Sequence, residues 1–178
     1  MLVKGGRCGE MKVSDFNDDL EYSMTASDEL FWDSVYIRAF PDMAVSIPNP
    51  VLSQSQMLGI DRVIHLKSGR TLYVDEKKRR GTWDDILLEY RSNDNTGAQG
   101  WMNKQLLIDY LAYAFMDTKV IYVMDWLSLR RVWIENGLKW STQFKTITAK
   151  NKGYNTLSLA VPIQTLMESI NNSIKIQL

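Results

Sequence analysis

Three residues of this chain, Asp61, Asp75 and Lys77, are of the types that phosphodiester chemistry needs, and they lie within a segment, Gly59 to Arg80, that reads as an apolar hairpin with a charged end. Side chains two apart on a strand share a face, so Asp75 and Lys77 project together, and hairpin pairing can bring Asp61 beside them. Two carboxylates with one intervening backbone carbonyl, that of Glu76, form a hard-oxygen site for Mg²⁺, an ion that keeps several waters and can bind a phosphate oxygen. Such an ion lowers the pKa of bound water and offsets transition-state charge. A lysine ammonium beside that water adds electrostatic stabilisation, and it orients or deprotonates the nucleophile if its own pKa is depressed. Glu76 and Lys78 repeat the carboxylate-x-lysine pattern one residue along, on the opposite strand face. The bland alternative is that Asp61 caps a strand entry and that Asp75 to Arg80 is a solvated strand end.

The elements that must position these groups follow from the surrounding pattern. Ser27, Asp28 and Glu29 offer an N-cap with acidic groups in the first turn, and Leu30, Phe31, Val35 and Ile37 supply the apolar positions of a helix that stops near Phe40, before Pro41. Pro48 and Pro50 mark Met43 to Leu58 as a connection. Arg62 to Leu66 and Thr71 to Val74 are the two strands of a β-hairpin around Lys67-Ser68-Gly69-Arg70. After a polar crossing, Ile86 to Tyr90 is a short apolar strand expected to lie centrally in the sheet. Ser92 to Gly100 has loop composition, with mobility expected until something fills the site. The period over Lys104 to Phe115 suits helix or strand; the reading adopted is a helical turn at Asn103 to Leu107 and strands at Asp109 to Met116 and Val120 to Met124. Leu127 to Asn136 is an amphipathic helix closed by Gly137, Thr156 to Val161 alternates like a strand, and a helix from Ile163 to about Ile170 finishes the domain.

Composition narrows the chemistry. With 178 residues and 45% apolar content, the chain has enough material for one domain with a substantial core: residues 1–26 are expected to form an arm, carrying Asp15, Asp18 and Asp19, and residues 27–178 a single domain. Twenty-one basic residues balance twenty-one acidic ones, so affinity for nucleic acid must come from a local patch. His65 is the only histidine and Cys8 the only cysteine, which leaves zinc clusters, Ser-His-Asp or Cys-His catalysis and internal disulfides without their parts. No signal peptide opens the chain and no apolar run approaches a membrane span of ~20 residues, so a reducing, cytoplasmic compartment is expected, with no membrane partner.

The order of an acidic residue, a hairpin, then Asp, any residue and Lys resembles the PD-(D/E)xK nuclease superfamily, the restriction-endonuclease-like fold, with Asp61, Asp75 and Lys77 matching; Ile60 stands where the motif has proline. The resemblance extends more weakly to the preceding helix, Asp85 to Glu89, Gly100-Trp101, Asp109-Tyr110 and Val120 to Val123, and is similar to uncharacterised phage and bacterial members. It implies an α/β (α+β) fold, a central mixed β-sheet flanked by helices, and DNA cleavage with Mg²⁺ or Mn²⁺. It also selects Asp75 and Lys77 over Glu76 and Lys78, and it implies an auxiliary acidic ligand on the first helix: Glu29, with Asp28 and Glu21 behind it. A phage-encoded member would work in the cytoplasm of its bacterial host, and a homodimer is compatible with the superfamily.

Around that core, Arg62, Lys78, Arg79 and Arg80, with Arg70 nearby, could hold DNA phosphates, or be a solvated basic turn. Glu89 reads equally as a further ligand or as a partner of Arg79 or Arg91. Trp101 suits the core better than a base stack, His65 a packed or surface place better than a catalytic one, and Arg130 and Arg131 a packing helix as well as a DNA contact. The alternative function is a catalytically inactive nuclease-fold module that binds DNA or protein; a third class is a small structural or inhibitory protein, in which Asp61 and Asp75 would stand far apart.

Overall fold

Alternation on two strands, Thr71–Arg79 and Tyr110–Phe115, decides how the molecule is layered. Leu72 and Val74, with Ala112 and Ala114, pack to one side, while Leu111, Tyr113 and Phe115 pack to the other. A sheet whose central strands are apolar on both faces must be covered on both, and it is. A computed structural model describes residues 26–49 and 58–178. The expected arm with Asp15, Asp18 and Asp19, together with Glu21 and Pro50, lies outside the described residues.

The chain forms a mixed α+β fold. Helix α1 (Ala26–Ala39) leads into β1 (Met43–Pro48), then β2 (Arg62–Leu66), β3 (Thr71–Arg79), β4 (Asp85–Asn93), β5 (Ala98–Gln99), β6 (Tyr110–Phe115) and β7 (Val120–Asp125). Helix α2 (Trp126–Gln143), β8 (Thr146–Asn151), β9 (Tyr154–Pro162), α3 (Ile163–Ser169) and β10 (Ser173–Gln177) complete it. A six-stranded mixed sheet runs β1-β2-β3-β6-β7-β10, and a four-stranded antiparallel sheet runs β5-β4-β9-β8. In the first sheet only β3 and β6 are parallel neighbours, because the chain between them crosses out to build β4 and β5 of the second.

Helix α1 covers one face of the large sheet. Its inward stripe is Trp32, Val35, Tyr36 and Ala39, whereas Leu30 and Ile37, expected in the core, are exposed. Trp32, Tyr36 and Phe40 recur every four residues and form a stacked ladder with centroids 5.8 and 6.3 Å apart, which fixes the helix on the small side chains Ala112 and Ala114. The other face packs against β4, β9 and α2 through Ile86, Leu88, Leu129, Leu159 and Val161.

Several expectations are corrected here. Met43–Pro48 is a strand paired antiparallel with β2 rather than a connection; it lies at the sheet edge, where a terminal proline costs no ladder bond. Strand β4 lies inside the second sheet, not centrally in the one that carries β3. Ser92 to Gly100 is mostly hairpin, and its Asp94 carboxylate accepts the Asn155 backbone N–H at 2.8 Å and Nδ2 at 2.7 Å. The expected turn at Asn103 to Leu107 falls earlier, with Asn103 and Lys104 N–H both donating to Gly100 O. Helix α2 continues through Gly137 to Gln143, N-capped by Asp125, whose Oδ1 accepts from Ser128 N–H at 2.7 Å. Strands β8 and β10 escaped notice because each is largely exposed and buries almost no alternating side chains. Among the described residues no helix is long and apolar enough to cross a membrane.

Candidate active site

Gly59 sets the entry to the site. It turns with φ +85°, a conformation that favours glycine, and packs against the Leu106 side chain, whose Cδ2 would lie 2.9 Å from a Cβ at this position. The next two residues are fixed by the backbone: Asn49 Nδ2 donates to Ile60 O at 2.6 Å, Asn49 N–H to Asp61 O at 2.8 Å, and Asp61 N–H to Val74 O at 2.9 Å. The β2–β3 ladder begins at Arg62 opposite Val74, and the Asp61 N–H bond to Val74 O keeps Asp61 beside the start of the Asp75–Lys77 segment. Asp61 Oδ2 then accepts the Glu76 N–H at 2.8 Å, folding its carboxylate over β3.

On β3, Asp75 and Lys77 stand beside Leu111 and Tyr113 of β6, on the face turned to the second sheet. Asp75 is 2% exposed and Lys77 31%. The Lys77 ammonium donates a hydrogen bond to Asp75 Oδ1. Burial raises the Asp75 carboxyl to about 8, Lys77 opposes the rise, and the neighbouring Asp61 carboxyl, close enough to share a hydrogen bond with it, adds to it. Two like charges and too little water favour a proton at neutral pH. Lys77 moves the other way from what a general base requires. Burial alone would lower its pKa, but Asp75, Asp61 and Glu89 outweigh burial and raise it, so the side chain is a held ammonium and the expected option of a depressed lysine is ruled out by its surroundings.

Glu89 reaches the same place from β4. The ladder of β4 with β9 shifts register between Glu89 and Arg91, and such a bulge re-aims side chains. Neither suggested partner takes its carboxylate: Arg79 donates to Asp85 O at 2.7 Å and Oδ1 at 2.6 Å, and Arg91 to Gly97 O at 2.6 Å. The carboxylate instead faces Lys77 and Lys104 and accepts the Trp101 N–H, while burial raises its pKa. Lys104 was missed from sequence, and a polar residue in an irregular turn carries no signal that would have found it.

The opposite face of β3 holds a different polar group. Glu76 Oε1 accepts from Arg62 Nε at 2.6 Å and from Tyr36 Oη at 3.0 Å; Arg62 Nη1 also reaches Ser46 Oγ at 3.0 Å and Asp33 at 3.4 Å. Burial pushes Glu76 up to about 7 against the pull of Arg62, and burial together with the Glu76 charge holds the Tyr36 phenol well above its ordinary value. The Glu76 side chain therefore turns away from Asp75; only its backbone faces the carboxylate pair. Lys78 on this face pairs with Asp28 at 2.6 Å.

These contacts correct the expected DNA-binding patch and the auxiliary ligand. Arg62 is 3% exposed, with Nε on Glu76 and Nη1 on Asp33 and Ser46, so burial keeps it from a phosphate. Lys78 and Arg79 are held in ion pairs, Arg79 also lying 4.6 Å from the Trp83 ring; Arg80 alone of the four is exposed. Glu29 is exposed in the first turn of α1, the helix on the far face of the sheet from Asp75 and Lys77. Its neighbour Asp28 is committed to Lys78. Trp101 is buried, 6.5 Å from Trp126, as the core reading requires, and His65 Nδ1 lies 2.9 Å from Thr71 Oγ1. Arg130 packs over the Trp126 ring, and Arg131 lies 4.0 Å from Glu135.

Among the described residues no group of three or more His, Cys, Asp or Glu side chains is arranged to hold a metal ion. Asp61 and Asp75 supply two carboxylates, which is the donor set of an ion that keeps most of its waters, as Mg²⁺ does. The residues present fit such an ion through one carboxylate pair and not through a closed protein cage. No protein-family model matches the chain, and no curated protein is significantly similar to it.

Proposed function

We propose that the chain is a Mg²⁺-dependent deoxyribonuclease hydrolysing phosphodiester bonds in the manner of the PD-(D/E)xK, restriction-endonuclease-like superfamily that its motif resembles. One observation carries the reading: Asp61 and Asp75, fourteen positions apart in sequence and brought together by the hairpin, meet beside the Lys77 ammonium on one buried sheet face. Asp61 and Asp75 would hold Mg²⁺ or Mn²⁺, which when bound supplies a water of lowered pKa and a counter-charge for the phosphoryl group. Lys77, kept as an ammonium by three carboxylates, orients the attacking water and stabilises negative charge on the phosphoryl oxygens. Tyr113 and Leu111 beside it limit water on that face. DNA is the substrate, and the reading sets the protein in the cytoplasm, that of a bacterial host if phage-encoded, as a monomer or homodimer.

A second reading has its own observation. Lys77 already occupies Asp75, and the described residues offer no third acidic ligand, which would suit a catalytically inactive nuclease-fold module that binds DNA or protein. Purified protein incubated with supercoiled plasmid and with linear duplex separates them. Cleavage that needs Mg²⁺ or Mn²⁺, stops with EDTA and disappears in Asp75→Asn supports the nuclease. Intact DNA under every cation, with no calorimetric signal for Mn²⁺, supports the inactive module.

A further inference from the structure

Tyr73 lies two residues before Asp75, so it shares the face of β3 that carries the carboxylate pair, at a spacing of about 7 Å. Unlike Asp75 it is open to solvent, 39% exposed. It lines a groove of about 610 Å³ together with Ile60, Leu107, Asp109, Trp126 and Leu127. That volume lies within the ~300–1,000 Å³ of sites that take a small organic group. Ile60 is bonded directly to Asp61, so the groove begins where the carboxylate pair ends. Leu107 and Leu127 are 59% and 77% exposed, which leaves the apolar walls uncovered.

The rim is polar in a particular way. Asp109 Oδ2 accepts the Tyr73 N–H at 2.8 Å and its Oδ1 lies 3.8 Å from Arg70, whose side chain is 64% exposed. Arg70 and the exposed Lys67 both belong to the turn between β2 and β3. An accessible ring, apolar walls and exposed cations on an adjacent turn are what single-strand recognition uses: the cations track the phosphates and the ring stacks on a base. Base pairing would keep the bases of a duplex out of the groove unless one were flipped. A docked apolar helix would use the walls but leave Arg70 and Lys67 without a role.

We propose that this groove receives an unpaired nucleobase of a DNA strand, with Tyr73 as its stacking face and Arg70 and Lys67 on the flanking phosphates. The inference rests on the nuclease reading for the strand's path past Asp61 and Asp75. Tyr73 stands two residues along β3 from Asp75, about 7 Å, so the base in the groove belongs to a nucleotide close to the phosphate at the carboxylates.

Binding can be read without cleavage, by fluorescence anisotropy of a labelled oligothymidylate and of a duplex of equal length, both in EDTA. The expected result is single-strand affinity at least about tenfold above duplex affinity. Tyr73→Ala should weaken the single strand by about 5- to 100-fold and leave the duplex unchanged, and Tyr73→Phe should retain binding. Arg70→Ala should flatten the salt dependence. Leu107→Glu, at an exposed groove residue outside the strands, gives the same loss without touching the sheet and serves if Tyr73→Ala does not fold. Equal affinity for both DNA forms, or single-strand binding untouched by Tyr73→Ala and Leu107→Glu, overturns the groove. A protein that binds single strands in this way yet cuts no DNA with Mg²⁺ or Mn²⁺ overturns the nuclease and keeps the groove. A protein that cuts but fails these binding tests does the reverse.

Discussion

The Lys77 ammonium is hydrogen-bonded to the Asp75 carboxyl two residues before it, on the buried face of a strand whose other face engages Glu76 with Arg62. The two faces of β3 thus hold two carboxylate–cation pairs of different character. One faces a second sheet and the candidate site, and the other locks a helix to its sheet.

The first pair predicts a loss of activity without loss of fold. Lys77→Met removes the charge but keeps the stem, and because Asp75 is held near a pKa of about 8 it can take up a proton and leave no bare buried charge. Asp75→Asn keeps the volume and leaves Lys77 facing Asp61 and Glu89. Each variant should lower the rate of plasmid cleavage by about 10²–10³-fold, as removal of a charge-stabilising group does. Circular dichroism spectra should match the parent. A variant that cuts at the parental rate would remove Asp75 and Lys77 from the chemistry.

The second pair predicts a loss of fold without a direct loss of contact to DNA. Arg62 is buried and Glu76 nearly so, and truncating one partner strands the other. Arg62→Ala should cost about 3–5 kcal/mol in urea unfolding. Arg62→Met with Glu76→Leu, which removes both charges and keeps volume, should cost far less. Equal losses in the single and double variants would mean that packing on Tyr36, and not charge, is what Arg62 contributes.

Raised carboxyl pKa values also set the pH dependence of stability. Asp75, at about 8, and Glu76, at about 7, each bind a proton more readily in the folded chain than at their ordinary values of 3.8 and 4.5. The native state therefore holds more protons than the unfolded one between about pH 4 and 8, and stability falls as pH rises through that window. In EDTA the melting temperature should be lower at pH 8.5 than at pH 5.5 by at least about 3 °C, a difference that ~1 kcal/mol produces in a domain of this size. Mg²⁺ favours the charged carboxylates and should shrink the difference. A melting temperature that rises over the same range in EDTA would contradict the burial assigned to this pair.

Much of this was legible in the residues, and the losses have physical causes. The hairpin with Asp61, Asp75 and Lys77 could be read because period-2 alternation, a glycine turn and charge position all agree there. Strands β8 and β10 could not, since neither buries an alternating set of side chains, and β10 is in addition specified by β7, a partner distant in sequence. Arg62 read as a DNA contact because sequence shows charge and not burial; the signal overlooked was Tyr36, four residues after Trp32 and four before Phe40, which puts a polar ring on the buried stripe of α1 where a charged pair could meet it. Glu29 could not be excluded until the side of the sheet covered by α1 was known. The bulge that aims Glu89 leaves no mark in the sequence except Gly100, which lies across from it.

Gly100 supports the last prediction. A Cβ at this position would lie 2.5 Å from Glu89 O, 2.6 Å from Glu89 C and 2.7 Å from Arg91 N, all of them backbone atoms of the bulge. The turn it begins donates the Met102 N–H to Glu89 O at 3.0 Å and the Trp101 N–H to the Glu89 carboxylate, and it buries Met102 completely. No flexible side chain can yield, so Gly100→Ala must shift β4 itself and should cost at least about 2 kcal/mol. Gly137→Ala is the control. Its Cβ would meet the Trp133 ring at 3.2 Å, a tight contact, but alanine gains up to about 1 kcal/mol over glycine inside a helix, so the net change should be near zero. Urea unfolding of the two variants measures the contrast, and a Gly100→Ala protein as stable as Gly137→Ala would show that the turn does not clamp the bulge. Because the same turn orients Glu89 towards Lys77, Gly100→Ala should also slow DNA cleavage well below the rate of Gly137→Ala at temperatures where both remain folded.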